Sequence, residues 1–229
     1  MSEAPANERA AFIRNTYLHL AGAIGAFVLL EWLLIGVFGA QVAPLAMSMI
    51  GGWQWLLVLG AFMVVGTIAD RWASSQTSKG MQYLGLGLFI VAEAIIFLPL
   101  LFIAIAVSGG NLDLISQAGL ITALLVAGLT VTAFITRQDF SFLRGVIVIG
   151  SFVALGLIVA SFIFGFDLGL LFSGAMILLM AASILYTTSN IIHHYQPTQH
   201  VAASLALFAS VATLFWYVLQ FVMSLASSD

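Results

Sequence analysis

Glu93 and Glu31 are out of keeping with their surroundings, each being a carboxyl inside a long run of apolar side chains. Glu93 lies about 12 residues into its run. At 1.5 Å per helical residue that is roughly 18 Å, near the middle of a bilayer. Glu31 lies about 14 residues into its own run, in the half farther from the N-terminus. A charge at mid-span costs about 2.5–3.5 kcal/mol on insertion scales. Such a residue is kept mainly where it faces a cavity or a partner. In a dry site the acid is neutral, and it can ionise when water or a cation enters. Each has two readings: a proton- or cation-sensitive site, or a neutral acid hydrogen-bonded to a neighbouring helix. Pro99, six residues after Glu93, lacks an N–H, so it is expected to bend the helix and free a carbonyl near that depth.

Histidine offers less. His193 and His194 are adjacent and His200 follows around Pro197, without ligand spacing of i and i+4 and without an accompanying carboxylate. A solvated loop with pH-dependent charge is expected there rather than a metal site. His19 reads as an interfacial side chain. Several chemistries are excluded. Retinal chemistry needs a lysine in the last span, and the one lysine is Lys79, in a loop. No His-Glu-x-x-His motif is present for a metalloprotease. Ser173-Gly174 has no histidine near it, and paired intramembrane histidines for haem are missing. The expectation is no enzyme, no catalytic residue, no metal and no cofactor. With no cysteine, disulfides, thiolate metal sites and thiol nucleophiles are also excluded.

The elements that position these residues can be read from composition. The 229 residues are 62% hydrophobic and 7% charged, where soluble domains run near 45–50% apolar and about 25% charged. The net charge of −3 gives no basis for a nucleic-acid partner. A multi-pass membrane protein is the class that remains, with the lipid bilayer as its first partner. Seven apolar runs stand out, at 17–40, 53–69, 81–107, 114–135, 145–164, 168–189 and 201–225, separated by Gly, Pro, Asn and charged residues. Unpaired amides in lipid force helices, and continuous runs do not fit the alternating strands of a barrel. The chain reads as a cytoplasmic segment 1–16, a seven-span helical bundle 17–225 and a tail 226–229. Arg9 and Arg14 precede an apolar run too long for a signal peptide, so the first span is read as uncleaved.

Seven spans place Arg9, Arg14, Arg71, Lys79, Arg137 and Arg144 on one side, with Asp113, Asp167 and Asp229 opposite. The positive-inside rule then puts the N-terminus in the cytoplasm and the C-terminus outside an inner (plasma) membrane. Small residues at packing spacing, Gly22 with Ala26, Gly150 with Ala154, Ser161 with Gly165 and Gly169 with Ser173, are expected at close helix contacts.

Three motifs carry a resemblance. Phe12-Ile13-Arg14-Asn15-Thr16-Tyr17 enters the first span. Thr136-Arg137-Gln138-Asp139-Phe140-Ser141-Phe142-Leu143 joins spans four and five. Ile184-Leu185-Tyr186-Thr187-Thr188-Ser189-Asn190-Ile191-Ile192-His193 ends span six. With the Glu93 to Pro99 spacing, in which Ala94 and Ile95 replace the more usual Gly and Leu, the chain resembles the Bax inhibitor-1 family, the transmembrane Bax-inhibitor-motif proteins, from residue 12 to about 225. The resemblance implies an all-α bundle of seven transmembrane helices, the seventh at the centre wrapped by the other six. It also implies a pH-sensitive calcium leak, and stress-protective or protease-modulating roles. The family's gate is usually an aspartate pair on spans six and seven. Thr187 and Ser210 stand at those positions here, so this resembles a bacterial branch without the pair. Both can hydrogen-bond, but neither supplies charge to calcium.

The expectation is therefore a cation leak channel whose gating has moved from the aspartate pair to Glu93, with Glu31 and Pro99 on the ion pathway and calcium entering only as a transported ion. The alternative is a non-conducting regulator of membrane stress or of a membrane protease, acting on a membrane-protein partner.

Overall fold

The computed structural model describes residues 5–75 and 78–227. Residues 1–4 of the N-terminal segment and 228–229 of the tail lie outside them. Among the described residues there is no strand, as a chain of long apolar runs requires. The helices are α1 (Ala6–Glu31), α2 (Gly39–Met49), α3 (Trp53–Ala73), α4 (Lys79–Val107), α5 (Asp113–Thr136), α6 (Leu143–Phe164), α7 (Gly169–His193) and α8 (His200–Ala226), with a π-helical turn Trp32–Val37 after α1. All but α2 are long and apolar enough to cross a membrane, the first such stretch being Asn7–Val37.

Two helical stretches lie outside the apolar runs. Helix α1 starts at Ala6, so most of the expected N-terminal segment is helical, and the Arg9 N–H bonds the Pro5 carbonyl at 3.1 Å. Helix α2 occupies what Pro44 and Gly51-Gly52 mark as a gap. Pro44 removes only one internal hydrogen bond from α2, while the Gln41 and Val42 N–H groups at its start both bond the Phe38 carbonyl at 3.0 Å. The breakers outweigh the Ala, Met and Val between them when the sequence is read alone. Pro99, by contrast, lies inside a helix as expected, since α4 continues through it.

Packing divides the chain into two compact units, Met1–Pro99 with Asn190–Ala209, and Leu100–Ser189 with Ser210–Asp229. In the first unit, α1 buries Phe12, Thr16, Leu20, Ala23, Phe27 and Glu31. Steps of three and four residues put them on one helix face. Ala69 and Ala73 of α3 are also buried, against Gly85 of α4, where a Cβ would stand 2.5 Å from backbone atoms of both. In the second unit, Gly150 of α6 lies against Leu179 of α7, the ring of Phe172 in α7 meets Tyr217 of α8 at 5.8 Å, and Gly174 approaches Phe221.

Of the small-residue pairs expected at contacts, Gly150 with buried Ala154 fits. Gly22 does not: nothing lies within 4 Å of its Cβ position, and the neighbouring Ala23 is the buried residue. Gly165 and Gly169 serve turns instead, at φ 69° and 64°. Spacing alone cannot tell a packing glycine from a terminating one. The most buried spans are α4 and α8, each with 61% of its most apolar stretch buried, against 22% or less in the other five.

Candidate functional site

Glu93 sits on the buried stripe of α4 between Phe89 and Phe97, one turn to either side, and is itself only 4% exposed. Both flanking rings reach other helices of the first unit. Phe97 meets Phe27 of α1 at 5.1 Å, and Phe89 meets Phe208 of α8 at 6.1 Å. Phe27 and Phe208 close the circuit at 6.1 Å, and Phe62 of α3 backs Phe89 at 5.8 Å. The turn that carries Glu93 is therefore held in an aromatic cluster from α1, α3, α4 and α8. Pro99 has no N–H to bond the Ile95 carbonyl, one turn before it and two residues after Glu93.

Glu31 ends the buried α1 stripe, one turn after Phe27. It is 7% exposed, and neither of its carboxyl oxygens, both buried, has a hydrogen-bond partner. Directly after it the helix widens, with the Phe38 N–H bonding the Leu33 carbonyl at 3.0 Å in an i to i+5 step. Such turns are rare and recur at functional sites. The Phe27–Phe97 contact thus brings the two acid-bearing stripes together, with each acid one turn from that contact. The acids themselves are not hydrogen-bonded to each other.

Thr187 and Ser210, where the sequence resemblance would place an acidic pair, are both buried in the second unit. Ser210 Oγ lies 2.9 Å from Ser183 Oγ, one turn before Thr187 on α7. The Ser183 hydroxyl has no signature in sequence and emerges only from the packing. Thr188 is fully buried, and its hydroxyl has no partner.

Two motifs that are separate in sequence meet at Ser189, near the end of α7. Its Oγ accepts the Phe140 N–H at 2.9 Å, and its hydroxyl donates to the Gln138 carbonyl at 3.3 Å. The 136–143 loop is further shaped by Arg137, left-handed at φ 50°, and by Asp139, whose carboxylate accepts the N–H and hydroxyl of Ser141. The loop is thus clasped to α7 through backbone groups that would otherwise lack partners.

Histidine departs furthest from expectation. His200 opens α8 instead of lying in a loop, and its ring meets that of His19 at 4.9 Å. Tyr83 of α4 joins them, with Oη 3.1 Å from His19 Nε2. Nothing in sequence pairs residues so far apart along the chain. Among the described residues no three His, Cys, Asp or Glu side chains are grouped to hold a metal.

Comparison with known proteins agrees with the motifs. Residues 9–228 match the family model described as Inhibitor of apoptosis-promoting Bax1. The chain is 36% identical to the Pseudomonas aeruginosa protein PA2604 over 73% of this chain and 71% of that one. It is 26% identical to Bax inhibitor 1 of Schizosaccharomyces pombe over its full length and 82% of the relative. It is also 34% identical to the Modulator of FtsH protease YccA of Escherichia coli, over 53% of this chain and 55% of that protein. With the family model spanning nearly the whole chain and seven helices fit to cross a membrane, the protein belongs to the Bax inhibitor family of multi-pass membrane proteins.

Proposed function

We propose that the protein is a non-conducting, non-enzymatic regulator in the inner membrane, acting on a membrane-protein partner such as a membrane protease. The observation that carries this reading is the Ser183–Ser210 hydroxyl pair, 2.9 Å apart, at a position where the resemblance would place one of two acids. Hydroxyls cannot supply the charge that a calcium gate needs. The name of the Escherichia coli relative, a modulator of FtsH protease, points the same way. The basic residues favour a cytoplasmic N-terminus and an outer C-terminus, which a reporter fused at the C-terminus reads directly.

A second reading is favoured by Glu31, buried with both oxygens unpartnered. Here the protein is a cation or proton leak whose pathway uses Glu93, Glu31 and the carbonyl freed by Pro99, with calcium as a transported ion. Flux from purified protein in liposomes across pH 5–8 separates the two. No calcium or proton flux, together with recovery of a membrane protease on co-purification from native membranes, supports the regulator. Robust flux that Glu93→Gln abolishes supports the leak and overturns the regulator as the main role.

A further inference from the structure

Three helices remote in sequence bring His19, Tyr83 and His200 into one cluster of the first unit. His19 Nδ1 donates to the Asn15 carbonyl at 2.7 Å, one turn back on α1. That bond fixes the ring and leaves Nε2 to face Tyr83 Oη at 3.1 Å, with the two rings stacked at 5.5 Å between centroids. In the neutral state Nε2 accepts the phenol proton. Once Nε2 is protonated it donates, and the phenol oxygen accepts, so Tyr83 accommodates one proton on His19 without losing the bond. His200 stands on the other side, its ring centroid 4.9 Å from that of His19. Tyr83 is 49% exposed and both imidazoles are partly exposed, so protons have access.

The charges around the cluster make the second proton the costly one. His200 is acted on first by its own burial, then by His19, by its hydrogen bond to the Pro197 carbonyl and by Lys79 of α4; His19 and Lys79 are positive when protonated, and no carboxylate is among these groups. The other charged residues of the packed elements are Glu8, Arg9, Arg14 and Glu31 on α1, Glu93 on α4, and Asp70 and Arg71 at the end of α3, with His193 and His194 at the end of α7 and in the turn that precedes α8. Two imidazolium charges about 5 Å apart, beside an ammonium, repel strongly in a site screened on one side by protein.

We propose that His19 and His200, with Tyr83 beside His19, form a proton-binding latch that ties the middle of α1 to the starts of α4 and α8, binds one proton while closed, and parts α1 from α8 when it binds the second. The latch needs neither Glu31 nor Glu93 and does not require the protein to conduct ions.

The natural absence of cysteine allows site-directed labels without prior replacement. Spin labels at Leu18→Cys and Thr198→Cys, in lipid nanodiscs of the full chain, report the α1–α8 separation by electron paramagnetic resonance. Between pH 8 and pH 5 the distance is expected to lengthen by about 2 Å or more, the scale of helix shifts in switching proteins. In His200→Gln, which keeps a polar side chain but leaves one titrating ring, it is expected to stay constant. Histidine ring NMR on the unlabelled protein provides a second readout. The two sites are expected to bind protons in steps more than about tenfold apart in affinity. An invariant distance in the otherwise natural chain, a change that persists in His200→Gln, or two independent titrations would each overturn the latch.

Discussion

Replacing Gly85 with alanine should loosen the α3–α4 contact more than any other single methyl addition among the described glycines. A Cβ at Gly85 would stand 2.5 Å from the Ala69 carbonyl oxygen, 2.5 Å from the Ala73 nitrogen and 3.0 Å from Trp72 Cβ. Ordinary contact begins at 3.4 Å, so the helices must part by roughly 1 Å. Two of the three obstacles are backbone, and no rotamer change relieves them. Overpacking costs about 1–3 kcal/mol, and the upper end applies here. Helix propensity returns about 0.8–1.0 kcal/mol on going from Gly to Ala. The net loss is about 2 kcal/mol, or about 4–8 °C in apparent Tm for a chain of this size. Thermal melting of purified protein in a mild detergent measures it, with two internal controls. At Gly150 the obstacle is the Leu179 side chain, which can rotate, so alanine there should cost less. At Gly22 nothing lies within 4 Å, so alanine should be neutral or stabilising by about 1 kcal/mol. If the Gly85 variant melts at or above the natural protein, or if the Gly22 variant falls as far, the reasoning from backbone approach fails.

Thr188→Val keeps the shape but removes a buried hydroxyl that has no partner, so stability should rise by about 1 kcal/mol, read from the same melting curves; a fall would mean that the hydroxyl is engaged. Ser189→Ala removes both bonds of the loop clasp, so limited proteolysis between residues 136 and 143 should speed up several-fold, and unchanged cleavage would show that the clasp does not hold the loop.

The seven spans were legible because apolar runs in lipid leave the backbone one solution, and the structure has a helix for each. The unexpected elements came from punctuation. Pro44 reads as a break, yet a proline inside a short helix removes a single bond, and α2 forms around it. Glu31 and Glu93 were visible because a carboxyl in an apolar run is conspicuous in composition alone. Their setting was not visible, because the ring contacts of Phe27, Phe62, Phe89, Phe97 and Phe208 join four separate stretches of chain. The loop 136–143 and the end of α7 were each marked by resemblance, while the Ser189 bonds between them depend on packing. His19 was read as interfacial and His200 as a loop residue; helix α8 begins one residue earlier than the apolar run, and that residue is the one that meets His19.

The widened turn Trp32–Val37 bears on how the chain can change in length. A π-turn is in effect an α-helix with one residue added, and the wider turn absorbs that residue, so removing it would restore the α-helix without the rotation of about 100° that a one-residue change imposes on a helix that stays α. Glu31 lies just before the turn, on the stripe fixed by Phe12, Thr16, Leu20, Ala23 and Phe27. A one-residue change in Trp32–Val37 can therefore be absorbed by the turn without moving the buried acid off its stripe. The first span separates a part whose register is fixed from a part whose length is free to drift, and the boundary falls directly after its carboxyl.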